Sequence, residues 1–315
     1  MMQHTGFLAR TVVASARRHV IQKQQKQIWQ WTGINLTRPD LIWPRSFSSS
    51  TAAVTPTPVT ISKHETSPEV AIVTLHQSAF NHDTARQLIK EWETMEQDPS
   101  IRAAMLKSDL KSIFCAGIDF KEFLKGPESF SNYWRTVRKV FEVIYSSRLN
   151  TAASMHGHSL GLGCVLAMAC QDRFMMGSVP KPGTIGLNEV SVGVPVPYWL
   201  VELFGAITSR RHAERLLPLG RILSVQEAHS IGLLDKIDFK SQEEMDDFVV
   251  RYLVGRSKAP PRAQAETMRV IRLDFLKLFR ASEEEDVKTI TRYVIEEEAQ
   301  AILKEQLARL ANKKK

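Results

Sequence analysis

The hydrophobic positions of this chain change period along its length. Between about residue 59 and residue 176, short apolar, β-branched runs alternate with segments whose apolar positions recur every three to four residues. Val59-Thr60-Ile61-Ser62 and Val70-Ala71-Ile72-Val73-Thr74-Leu75 predict strands. Residues 83–95 predict a helix with Leu88, Ile89 and Trp92 on one face. Residues 103–107, 151–155 and 174–176 predict further strands, and residues 131–145 a second helix. Residues 162–170 are almost wholly small or apolar, which predicts a helix buried on all sides. Asp119 with Glu122 three positions on has the form of a capping box and predicts a helix start there. Alternating strands and helices argue an α/β fold with parallel pairing. Beyond Pro197 the period is helical, with helices predicted over 209–217, 224–234, 242–254 and 261–279, and one long helix over 282–310.

Composition narrows the class. At 315 residues and 43% hydrophobic, the chain can bury a sizeable core and is not a disordered protein. No stretch approaches the roughly 20 apolar residues that span a bilayer. The net charge of +8 is uneven: residues 1–45 carry seven basic residues against one acid, Asp40, a net +6 that leaves +2 for the rest. The body therefore has little attraction for phosphate backbones, and no nucleic-acid partner is expected. Residues 1–39 contain no Asp or Glu, and Arg, Gln, Ser and Thr are interspersed with Leu, Val, Ile and Trp. That composition fits a mitochondrial transit peptide and lacks the compact apolar core of a secretory signal; the alternative is an ordered N-terminal helix. Arg45-Ser46-Phe47-Ser48-Ser49-Ser50 has the form of a matrix-processing site.

Candidate chemistry gathers at three places. Phe114-Cys115-Ala116-Gly117-Ile118-Asp119 and His156-Gly157-His158-Ser159-Leu160-Gly161-Leu162-Gly163-Cys164 are glycine-containing turns, each able to offer a backbone N–H to one oxygen. Glu189, in Gly186-Leu187-Asn188-Glu189, is a lone carboxylate able to move a proton. Gly157-His158-Ser159-Leu160-Gly161 also fits a serine nucleophile elbow, which would need a later histidine such as His212 or His229. His156 and His158 read as packing or hydrogen-bonding residues. Cys115, Cys164 and Cys170 form no Cys-x-x-Cys pair, have no histidine cluster at metal-ligand spacing, and read as small buried hydrophobes.

These residues resemble the crotonase (enoyl-CoA hydratase/isomerase) superfamily. Phe114 through Glu122 looks like its first signature, and His156 through Cys164, with Leu166, Ala167 and Cys170-Gln171-Asp172-Arg173, like its second. Ser78-Ala79-Phe80-Asn81 looks like its CoA-facing loop. The likeness runs from about Val59 to Phe239 and accounts for the glycines around Ser159 without a nucleophile. Gly186-Leu187-Asn188-Glu189, Gly193 followed by Pro197-Tyr198-Trp199-Leu200, and Arg211-His212-Ala213-Glu214-Arg215 look like the Δ3,Δ2-enoyl-CoA isomerase branch.

The resemblance implies an α/β fold with a crotonase-like β-β-α spiral core and a C-terminal helical oligomerisation region. The expected division is a transit peptide over 1–47, a flexible linker over 48–58, the core with an acyl-CoA site over 59–239, and the helical region over 240–315. It implies a homotrimer or a dimer of trimers in the mitochondrial matrix. No metal and no cofactor are implied, coenzyme A being part of the substrate. Glu189 would be the catalytic base, and the N–H groups of Ile118 and Leu162 the oxyanion hole. Ala79, Phe80, Ala116, Gly117, Ile118, Asp119, Phe120, Lys121, Leu162 and Asn188 would meet the acyl-CoA. Pro195, Tyr198 and Trp199 would wall the acyl pocket. Asp119 reads as a helix cap rather than an acid, and Lys121 as a surface lysine or a contact to CoA phosphates.

The implied reaction moves a 3-enoyl-CoA double bond to the 2-trans position in fatty-acid β-oxidation. Hydration, dienoyl-CoA isomerisation and a non-catalytic binding role are the alternatives. Hydratases place a second glutamate directly after the cysteine of the second turn, where this chain has Val165. The chain also departs at Leu162, where many members carry glycine; a positive φ there would disfavour leucine.

Overall fold

The computed structural model describes residues 57–312. The expected transit peptide and all of the linker but Thr57 and Pro58 lie outside the described residues. In chain order come β1 (Val59–Lys63), β2 (Val70–Leu75), β3 (Ala79–Phe80), α1 (His82–Glu96), β4 (Ala103–Ser108), β5 (Ile113–Cys115), β6 (Gly117–Ile118), α2 (Pro127–Tyr145), β7 (Asn150–Met155), β8 (His158–Leu160) and α3 (Leu162–Ala169). Then follow β9 (Asp172–Met175), β10 (Thr184–Gly186), α4 (Tyr198–Ile207), α5 (Arg210–Leu216), β11 (Leu223–Ser224), α6 (Val225–Ser230), α7 (Gln242–Arg256), α8 (Pro261–Ala281), α9 (Glu283–Ile295) and α10 (Glu297–Asn312).

Successive turns of the chain lay one strand in a large sheet and the next in one of two smaller sheets. β2, β4, β7 and β9 run parallel in a five-stranded sheet of order β1-β2-β4-β7-β9, with β1 antiparallel at its edge. The strands that follow three of them, β5, β8 and β10, join parallel in a four-stranded sheet closed by antiparallel β11. β3, which follows β2, pairs with β6. This is the β-β-α spiral the resemblance implies. The five-stranded sheet is covered on both faces, so β7 is buried along its whole length and β9 likewise. One face meets the main core; α7 closes the other, through Met245, Val249 and Leu253 against Val70, Met105 and Phe174.

Local chemistry explains where several helices begin. Asn81 caps α1, its Oδ1 accepting from Thr84 N–H at 2.8 Å. α2 has Pro127 in its first turn. Ser224 and Glu227 form a reciprocal capping box on α6. All eight residues of α3 are buried, as its composition predicts.

Three expectations change. The Asp119–Glu122 pair opens only a 3-10 turn, Glu122–Leu124, and Asp119 Oδ1 accepts from Lys121 N–H at 3.0 Å within that turn. α4 is an apolar helix not separately predicted. The single helix expected over 282–310 is two, because Glu296 is extended (φ −64°, ψ 145°) and turns α10 back over the core. The C-terminal helices are no separate body: Phe279, Val287, Ile290, Val294 and Leu303 belong to the main core. No helix among the described residues is long and apolar enough to cross a membrane.

Candidate active site

The two glycine turns and Glu189 converge. β3 pairs with β6, which sets Ala79 beside Gly117 and Phe80 beside Ile118. Phe80 is buried, and its carbonyl accepts from Asp119 N–H at 2.9 Å and from the Tyr133 hydroxyl at 2.6 Å. Ala116 N–H donates to Ser78 O at 2.6 Å. These bonds clamp the first turn. A methyl carbon built on Gly117 would lie 3.2 Å from Leu160 O and 3.8 Å from Leu162 N, so the first turn abuts the start of α3.

The positive φ of the second turn falls on Gly161, at 51°, not on Leu162. Leu162 is the first residue of α3, with Gly161 as its N-cap. A leucine there carries no left-handed strain, and its N–H is one of those at a helix start without an intrahelical partner. A Cβ on Gly161 would stand 3.4 Å from Asn188 Oδ1, 3.9 Å from Glu189 Oε1 and 4.0 Å from Gly117 Cα. Both turns and the carboxylate therefore meet within one small volume. Gly163 is needed for a different reason: any Cβ there would lie 2.2 Å from Cys115 O, so glycine alone lets α3 approach β5 this closely.

Glu189 opens a 3-10 turn, Glu189–Val192, and faces an apolar cavity of about 50 Å³. Phe130, Trp134 and Val137 on one face of α2 line it, joined by Leu162 and Val165 of α3. Trp199 and Leu200 of α4 and Ile290 of α9 complete the inner wall. Glu189 is the one ionisable side chain of that lining, and its Oε2 is buried with no hydrogen-bond partner. Loss of water around the carboxylate raises its pKa to about 7, offset in part by its own backbone N–H. A carboxyl poised near neutrality can both take and return a proton. Val165, where a hydratase would carry its second acid, is part of the apolar lining.

Other predicted residues fall at varied places. Ile118 and Leu162 both line the cavity. Ala116 is buried, Phe120 packs edge-on to Phe123 at 6.0 Å, and Lys121 is exposed. Asn188, by its Oδ1, borders the second turn. Of the three expected wall residues only Trp199 lines the cavity. Tyr198 is 56% exposed, because one residue before Trp199 at the start of α4 points about 100° away. Pro195 is replaced in the lining by its neighbours Val194 and Pro197. The sequence reading missed Phe130, Trp134 and Val137, whose signal was there in the helical spacing of α2. It also missed Ile290, for which no local signal exists.

The serine-nucleophile reading has no partner for its serine. Ser159 is buried and its hydroxyl donates to Met155 Sδ at 3.2 Å. His212 bonds Ser209 and His229 bonds Leu234 O. His158 bonds Thr184 at 2.9 Å and His156 bonds Leu110 O. Burial pushes the Cys115 thiol up to about 12 and the Cys170 thiol likewise, so both stay protonated.

A spiral of paired strands, two glycine turns that meet and a lone carboxylate with one oxygen buried are the arrangement expected of the crotonase superfamily. The sequence profile of the enoyl-CoA hydratase/isomerase family matches residues 65–304, and the chain belongs to that family. The match extends into the last helix, α10. The chain is similar to enoyl-CoA delta isomerase 1, mitochondrial, of Mus musculus, at 29% identity over 225 residues, covering 70% of this chain and 76% of that protein. It is similar to methylglutaconyl-CoA hydratase, mitochondrial, of Mus musculus at 27% over 168 residues, covering 53% of this chain and 52% of that one. Among solved structures, human mitochondrial delta3-delta2-enoyl-CoA isomerase shares the fold, with a TM-score of 0.76 at 24% identity over 82% of this chain and 100% of that one.

Proposed function

We propose that this family member is a Δ3,Δ2-enoyl-CoA isomerase, acting in fatty-acid β-oxidation in the mitochondrial matrix. The observation that carries the reading is the solitary Glu189 carboxylate, its Oε2 buried and unpaired, beside two glycine turns, in a cavity where Val165 stands instead of a second acid.

On this reading the thioester oxygen sits between Ile118 N–H and Leu162 N–H. Glu189 takes a proton from C2, and the electron pair moves onto the thioester oxygen to give a dienolate. The two N–H groups and the N-terminus of α3 stabilise that charge; each such donor contributes about 10²–10³ in rate. Glu189 then delivers the proton to C4 as the pair returns, leaving the double bond between C2 and C3. No atom is gained or lost, and one carboxylate serves both transfers. The apolar wall keeps water from the dienolate. No metal or redox cofactor takes part.

The mitochondrial names of the similar isomerases and hydratases support the location, as does the acid-free, basic composition of residues 1–39. A homotrimer or dimer of trimers belongs to the same reading; Val270 and Ile271 on α8 are 56% and 69% exposed and could be covered by it. A monomeric mass by light scattering would count against that assembly.

The test is an isomerisation assay with 3-enoyl-CoA, with Glu189→Gln in parallel. Formation of 2-trans-enoyl-CoA by the wild type, lost in the variant, supports the proposal. A 3-hydroxyacyl-CoA product from 2-enoyl-CoA, without isomerisation, would replace it with hydration.

A further inference from the structure

A buried carboxylate lies just behind the cavity wall. Asp286, on α9, is buried and does not line the cavity. One of its oxygens, Oδ2, accepts three hydrogen bonds: from Trp134 Nε1 at 3.0 Å, from Trp199 Nε1 at 3.2 Å and from Arg138. Arg138 is itself buried, donates to Phe279 O, and stacks over the Phe279 ring at 4.2 Å. Trp134 and Trp199 come from different helices, α2 and α4, and both line the cavity. Ile290, one turn after Asp286 on the same helix, lines it too.

The arrangement has a chemical consequence. A buried indole N–H needs an acceptor. Without one behind the wall, each tryptophan would have to turn its N–H toward the cavity or reach for water. Asp286 draws both N–H groups to the outside of the wall and fixes both ring planes through a single atom. The cavity is thereby left apolar apart from Glu189, and two of its largest lining side chains are held in one place. Arg138 neutralises the carboxylate, which would otherwise be an unpaired buried charge.

We infer that Asp286 is a positioning residue for acyl-group selection: by holding Trp134 and Trp199 it makes the cavity a site for a plain hydrocarbon chain and sets the longest chain that fits. This rests on the proposed acyl-CoA reading and names the substrate feature that reading leaves open.

The test measures binding of saturated acyl-CoAs, from butanoyl to hexadecanoyl, to the purified full chain by calorimetry, alongside the 3-enoyl-CoA assay. Wild type is expected to lose affinity beyond a limiting length. Trp134→Ala, which leaves the Arg138–Asp286 pair in place, is expected to move that limit to longer chains, raising the affinity ratio of long over short by about tenfold. Two double variants separate positioning from mere stability. Asp286→Asn with Arg138→Met removes both charges but keeps an acceptor for the indoles, and should keep the wild-type length profile. Asp286→Leu with Arg138→Met removes the acceptor and should shift it. An unshifted profile in Trp134→Ala, or in the folded Asp286→Leu variant, overturns the inference while leaving the acyl-CoA reading intact. Failure of the wild type to bind any acyl-CoA overturns both.

Discussion

Glu189, half-buried with its Oε2 shielded from solvent, lines the cavity, Asp286 is buried behind it, and the surroundings of the two acids are opposite. Glu189 Oε2 has no partner, and the carboxyl is raised to about 7 by loss of water. Asp286 Oδ2 has three donors, one of them a guanidinium. The first is costly to keep charged and therefore ready to hold a proton; the second is satisfied as an anion and therefore holds other side chains. A buried carboxylate signals reactivity only when it is left unpaired, and the hydrogen-bond account of each oxygen is what separates the two roles.

The contrast is sharpest if each acid is removed in turn. Glu189→Gln should lower kcat/KM for 3-enoyl-CoA by about 10²–10⁴-fold while acyl-CoA affinity changes little. Steady-state kinetics with calorimetry reads both. Asp286→Ala should do the reverse in kind: it leaves two indoles without an acceptor and the buried Arg138 without its counter-charge, and should cost about 3–5 kcal/mol of folding stability by denaturant unfolding.

Glu189→Gln should also stabilise the fold at alkaline pH. The folded pKa of about 7 lies above the ordinary glutamate value of 4.5. Stability from this group is thus complete below the unfolded pKa and lost as pH rises through about 7. At pH above that window the glutamine variant should be the more stable by something on the order of 1–3 kcal/mol, and below pH 4 the difference should vanish. The same titration predicts that wild-type kcat/KM falls about tenfold per pH unit below about 7, as the base becomes protonated. Asp286→Asn/Arg138→Met should leave that limb in place, since neither residue touches the reacting carboxyl.

Gly161→Ala is the mildest intervention. Its φ of 51° with ψ of −115° costs a non-glycine residue about 1–3 kcal/mol, and the added methyl would stand 3.9 Å from Glu189 Oε1. Activity should drop more than thermal stability does, because the methyl intrudes where the two turns and the carboxylate meet.

Much of the site was legible because its chemistry is local. Gly117, Gly161 and Gly163 mark turns and close approaches that only glycine permits, and Glu189 follows a short strand at a recognisable spacing. The apolar run of 162–170 announced a wholly buried helix, and α3 is one. The strands of the two smaller sheets were less visible: β3, β6 and β11 are two residues long and β5, β8 and β10 three, too short to show a period. Tyr198 was misplaced because neighbours in sequence on a helix face different ways, and the orientation of α4 depends on what it packs against.

By itself the sequence determined the alternation of strands and helices, the glycine turns and the isolated glutamate, since each follows from backbone propensity or from the conformational demand of a few adjacent residues. Only the tertiary structure decided that residues from Ile118 to Ile290 share one cavity, that the left-handed turn falls on Gly161 and spares Leu162, and that Asp286 collects Trp134, Trp199 and Arg138 on one oxygen. Those outcomes depend on which helix faces meet across more than a hundred residues of chain, and burial and hydrogen-bond satisfaction select that packing with no local pattern to announce it.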